Sequence, residues 1–255
     1  MLDLQKANMW KRISAFIFDS ILLCITVVGV AFLLSTVLDY DGYSEQLEER
    51  YQIVAETYGV DLNITQEEYD KLSPEEIARY DEATLALSKD GTASYLYTMM
   101  LNLTLIITTF SILIAYLILE FLVPLLLGNG QTLGKKVFGV GVMRLDGVKV
   151  TPVLLFIRTV LGKFTVETMI PVLLGIMVYF AVIDALGVVL IAGLLLLQVL
   201  LLAFTRARTP IHDKLASTVT VDLASQMIFE SREALVEYQK RIHAEQAEKA
   251  EYGRL

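Results

Sequence analysis

Residues Phe164 to Phe204 read FTVETMIPVLLGIMVYFAVIDALGVVLIAGLLLLQVLLLAF, in which only Glu167 and Asp184 are charged. As one helix this stretch would be about 60 Å long, twice the ~30 Å hydrocarbon core of a bilayer. A single crossing would also carry Arg206, Arg208 and Lys214 away from the other basic clusters, against the preference of Lys and Arg for the cytoplasmic side. Two crossings joined by a tight outer turn at Asp184-Ala185-Leu186-Gly187 satisfy both constraints. Two further apolar stretches lie upstream. Ile13 to Val37 has one charge, Asp19, and Tyr95 to Leu127 has one, Glu120. The expected fold class is therefore an all-α membrane protein with four transmembrane helices, an external helical insertion and a small cytoplasmic β-hairpin or sheet.

Composition agrees. The 255 residues are 55% hydrophobic with a mean hydropathy of +0.57, outside the ordinary soluble range. The net charge of −8 is partitioned, because residues 39–94 hold 15 acids against 4 bases and the rest is +3. Lys6, Lys11 and Arg12 precede the first apolar stretch, and Lys135, Lys136, Arg144, Lys149, Arg158 and Lys163 lie between the second and third. All of these belong in the cytoplasm, which puts both termini there and the acidic segment outside. The expected location is the cell membrane, multi-pass. The first apolar run is too long for a signal peptide, and Thr36-Val37-Leu38-Asp39 offers no cleavage site, so it reads as an uncleaved span.

Four regions follow: 1–38, the N-terminus and first span; 39–94, the acidic external segment; 95–224, the remaining membrane domain; and 225–255, a cytoplasmic helical tail. In the external segment, Thr65 to Glu68 and Ser73 to Glu76 read as capping boxes, the second with Pro74 at the first helical position. Leu47, Tyr51, Val54 and Tyr58 make one apolar helical stripe. Asn63-Ile64-Thr65 fits a glycosylation acceptor. On the inner side, the β-branched run ending at Leu145, then Asp146-Gly147 and Val148 to Thr151, reads as a hairpin, with 215–221 as a third strand. Residues 152–163 are expected to lie along the inner interface before span three.

Depth singles out the polar residues. Asp19 lies about 9–10 Å into span one, and Glu120, Glu167 and Gln198 sit at similar depth in the other spans. Intramembrane acids are expensive and usually functional. Facing one another, the four would form one layer able to hold a proton, a monovalent cation or a hydrogen-bond network, and two adjacent carboxylates would raise one pKa. Arg12 and Asp213 are expected to form a charge lock, with Thr209 capping a helix that starts at Pro210. Pro124 is expected to break span two. The lone Cys24 and the two histidines, His212 and His243, point to no disulfide, metal site or cofactor. Gly128 to Lys136 lacks the spacing of a phosphate loop, and His212-Asp213 lacks a second histidine cluster, so no enzyme is expected.

Arg12 followed by Asp19, the run Gly130-Gln131-Thr132-Leu133-Gly134-Lys135-Lys136, and the run His212-Asp213-Lys214-Leu215-Ala216-Ser217-Thr218 together resemble the RDD family of membrane proteins. The family's arginine and two aspartates map onto Arg12, Asp19 and Asp213. Ser217 stands where the family commonly has glycine, the acidic segment looks like an addition, and Glu120 and Glu167 lie outside the family pattern. The resemblance implies transport for some members and accessory roles in membrane complexes for others. Two functions are therefore expected in competition. One is a cation- or proton-coupled transporter using the buried carboxylates, in a homo-oligomer because four spans are few. The other is a non-catalytic scaffold or regulatory subunit that binds a membrane-protein partner through the external segment or the tail. Neither involves nucleic acid.

Overall fold

The computed structural model describes residues 7–179, 183–205 and 209–252, with side chains to residue 247. Lys6, Arg206 and Arg208, used above to orient the chain, lie outside the described residues. Among the described residues, four helices are long and apolar enough to cross a membrane: Met9–Val37, Gly91–Leu127, Pro152–Tyr179 and Ala185–Phe204. They are the first to fourth spans. The chain divides into two compact units, residues 28–111 and the remainder.

The smaller unit contains three short helices, Tyr40–Tyr58, Gln66–Tyr69 and Pro74–Lys89. Both capping boxes are present. The backbone amide of Thr65 donates to Glu68 Oε2 and that of Ser73 to Glu76 Oε2, each at 2.8 Å. Leu47, Tyr51, Val54 and Tyr58 are half-buried while the flanking glutamates are exposed. Helix Tyr40–Tyr58 packs on helix Pro74–Lys89, where Ala83 is fully buried.

In the larger unit the strands among the described residues form a two-stranded antiparallel sheet, β1 (Val140–Arg144) with β2 (Thr218–Asp222). The Asp146-Gly147 turn exists, with the amide of Arg144 donating to the Val148 carbonyl at 2.8 Å. The return run forms only isolated bridges, Met143 to Lys149 and Val148 to Phe229, so the expected third strand is β1's main partner. Period-2 alternation gives β2 two jobs. Val219 and Val221 pack with Met143, while Thr218 and Thr220 turn to Asp213. Lys11 Nζ meets Asp222 Oδ2 at 2.7 Å, tying the start of the first span to the end of β2. Leu235 of the tail helix Arg232–Tyr252 is buried with Val148 and Phe229.

Several boundaries differ from the sequence reading. Residues 152–163 are no separate interfacial helix, because they continue into the third span. Ala185 to Gly187 open the fourth span instead of forming a loop. The short helix after it runs Ile211–Leu215 with Pro210, not Thr209, at the cap. Span two also continues through Pro124, for a reason that shapes the site. Ser217 has φ +52°, a left-handed conformation that costs a side chain ~1–2 kcal/mol and that glycine adopts freely.

Candidate functional site

The site rests on two widened helical stretches, Leu117–Leu122 in the second span and Ile157–Met169 in the third, where hydrogen bonds close i→i+5. Pro124 and Pro171 each lie two residues beyond such a stretch. Proline has no N–H and clashes with the carbonyl four residues back, so the regular ladder cannot run through it. At Pro124 the orphaned carbonyl is that of Glu120, and the Thr159 hydroxyl donates to it at 2.8 Å. A neighbouring side chain satisfies the freed group, as lipid exposure would not allow. Span two therefore widens instead of breaking. The hydroxyls of Tyr116, the residue before the first stretch, and Thr168, in the second, are 2.9 Å apart and fasten the two spans together.

A cavity of about 360 Å³ opens beside these stretches. All six sequence candidates line it: Arg12, Asp19, Glu120, Glu167, Gln198 and Asp213. Four basic side chains, Arg12, Lys135, Arg158 and Lys163, line it with four carboxylates. The structure does not pair acid with acid. Each carboxylate finds donors on the protein.

Asp213 is fully buried and Arg158 is 2% exposed. The cation seated on Asp213 is Arg158, with Nε 2.6 Å from Oδ1, where the sequence reading expected Arg12. Arg158 arrives because the third span begins at Pro152 and brings it beneath helix Ile211–Leu215; Arg12 lines the same cavity. Thr218 and Thr220 hydroxyls donate to Asp213 at 2.8 and 3.3 Å. Burial alone would raise the carboxyl's pKa; the Arg158 guanidinium, helped by the Thr218 hydroxyl, reverses that and holds it far below the usual range.

Glu167 is engaged on both oxygens. The His212 amide donates to Oε1 at 3.0 Å, Gln198 Nε2 donates to Oε1 at 3.1 Å, and His212 Nδ1 lies 2.7 Å from Oε2. Arg158 Nη2 approaches His212 Nε2 at 3.1 Å. A guanidinium only donates, so Nε2 accepts and the imidazole proton sits on Nδ1, facing Glu167. Burial, then Arg158, lowers the His212 pKa and keeps the ring neutral. Gly162 permits this approach, since a Cβ there would stand 2.5 Å from the Cβ of His212.

Asp19 accepts from Thr132 Oγ1 at 2.5 Å and from the Gly134 amide at 2.8 Å. Glu120 differs from the rest. Its Oε1 meets Lys163 at 2.5 Å, but Oε2 and the Lys135 Nζ, 3.9 Å apart, are buried without a hydrogen-bond partner among the described residues. No group of three His, Cys, Asp or Glu suited to a metal ion occurs among those residues.

The sequence reading does not place Arg158, Lys163 or Lys135 in the site: it puts Arg158 and Lys163 at the inner interface and Lys135 in the cytoplasmic turn after span two. Arg158 and Lys163 are five residues apart, on different sides of an α-helix but on one side where bonds close i→i+5. The proline two residues past each stretch was the available signal. Comparison with known proteins matches residues 6–217 to the family model described as RDD family. No curated protein and no solved structure matches the chain.

Proposed function

The chain belongs to the RDD family, and from that premise we propose that it is a proton-coupled carrier of the cell membrane with the charged cavity as its transport site. One observation carries this reading. Within a cavity of about 360 Å³, the acceptor Glu120 Oε2 and the donor Lys135 Nζ are buried and unsatisfied. Buried polar groups that only hold helices together are normally satisfied, whereas a group that must bind and release is left open. That both oxygens of Asp19, Glu167 and Asp213 are already engaged by donors on the protein supports a proton over a caged cation as the coupling species. The proposal includes assembly into a homo-oligomer, since four helices enclose little space.

The proposal also places both termini and the basic loops in the cytoplasm, from the excess of Lys and Arg on those segments. A cysteine introduced at Ser88 in a Cys24→Ser background should react with a membrane-impermeant thiol reagent added outside intact cells. Labelling only after lysis would reverse the orientation.

Transport is tested in proteoliposomes that contain the full chain. A pH gradient is imposed and its collapse followed after addition of sodium, potassium or lithium. Collapse above the protein-free rate supports a carrier. Folded protein with no effect would shift the reading to an accessory subunit, with residues 39–94 and the tail as its contact regions.

A further inference from the structure

We infer that Lys135, not one of the four carboxylates, is the group that carries the proton in this cavity, releasing it beside Glu120. The inference rests on the carrier reading for its role, but its chemistry is testable alone. Glu120 supplies one negative charge to two ammonium groups. Lys163 holds Oε1 at 2.5 Å, while Lys135 stands 3.9 Å from Oε2. Arg158, also nearby, is committed to Asp213. From the first span Asp19 faces Lys135, but its oxygens already accept from Thr132 and Gly134. Arg12, Tyr116, Glu167 and His212 complete the titratable lining. A charged Lys135 thus buries three N–H donors with none satisfied among the described residues.

That arrangement favours the neutral amine. Burial is the main cause, Lys163 and Arg158 add to it, Glu120 and Asp19 oppose it, and the Lys135 pKa falls to about 7. In the step, the ammonium breaks one N–H bond and passes the proton to a cavity water, keeping the electron pair on nitrogen. Glu120 stays negative and balanced by Lys163. Protonation from the other side of the membrane restores the starting state. Lysine suits this because its pKa shifts readily on burial, unlike that of arginine.

The test is the pH dependence of thermal unfolding of the full-length protein in detergent. A lysine with a folded pKa near 7 and an unfolded value near ~10.4 binds fewer protons folded than unfolded between those values. Stability therefore rises with pH across that window. From about pH 7.5 to 9.5, above the His212 transition, the wild-type Tm should climb roughly 5–10 °C. The climb should vanish in Lys135→Met and, should that variant not fold, in Lys135→Arg, whose charge is fixed. A flat or falling wild-type Tm, or an equal climb in a folded variant, overturns the inference. Failure of the carrier reading appears separately, as absent flux from wild-type liposomes whatever the slope.

Discussion

Replacing Arg158 with methionine, or Asp213 with leucine, is expected to destabilise the folded protein by about 3–5 kcal/mol, roughly 10 °C in Tm. Arg158 is 2% exposed and Asp213 fully buried, so either change strands an uncompensated charge in a medium that solvates it poorly. Removing Asp213 also strips Thr218 and Thr220 of their acceptor and loosens β2 from helix Ile211–Leu215. The double replacement should recover much of the loss, because an apolar pair leaves no buried charge behind. Thermal unfolding of all four proteins in detergent measures both effects. Single variants within ~1 kcal/mol of wild type would show that water reaches the pair and that it is no lock. The sign with pH follows. A carboxyl held far below its ordinary value contributes fully above ~3.9 and loses that contribution only as pH falls below it.

Gly134→Ala is expected to detach the first span from the site. A Cβ at Gly134 would collide with the backbone carbonyl of Ala15 and approach the Asp19 carboxyl. The Gly134 amide is one of the two donors that hold Asp19. A backbone atom cannot turn aside as a side chain can, so the first span or helix Leu133–Val137 must move. Overpacking of this kind costs about 1–3 kcal/mol, and a displacement near 1 Å at a transport site costs far more in rate. We expect a folded protein, somewhat lower in Tm, whose flux drops to background. Normal flux from Gly134→Ala would mean that the first span is free to shift and that Asp19 does not position the site.

What the sequence revealed depended on the range of the interaction. The spans declare themselves by apolar length, and the capping boxes at Thr65 and Ser73 are complete within four residues. The polar layer was legible as depth, because a residue's distance along a span is a count. Partners were not. Arg158 reaches Asp213 across 55 positions, and nothing local distinguishes it from Arg12 as the matching cation. The Asp146-Gly147 turn forms as its local signal says, but its return run makes only isolated bridges, and the ladder of β1 is with the distant β2. There Val219 and Val221 bury against Met143 while Thr218 and Thr220 serve Asp213. The widened turns bring Arg158 and Lys163, five residues apart, to one side of the third span, which regular α-helical spacing does not do.

The most direct test of the central claim, that the open Glu120–Lys135 pair serves transport and not only the fold, is flux from Glu120→Gln in proteoliposomes beside wild type. Protein in both preparations should elute as one species and unfold cooperatively. The account predicts that the imposed pH gradient collapses with wild type and persists at the protein-free rate with Glu120→Gln. A Glu120→Gln protein that dissipates the gradient as fast as wild type would contradict it and leave the buried pair a structural contact.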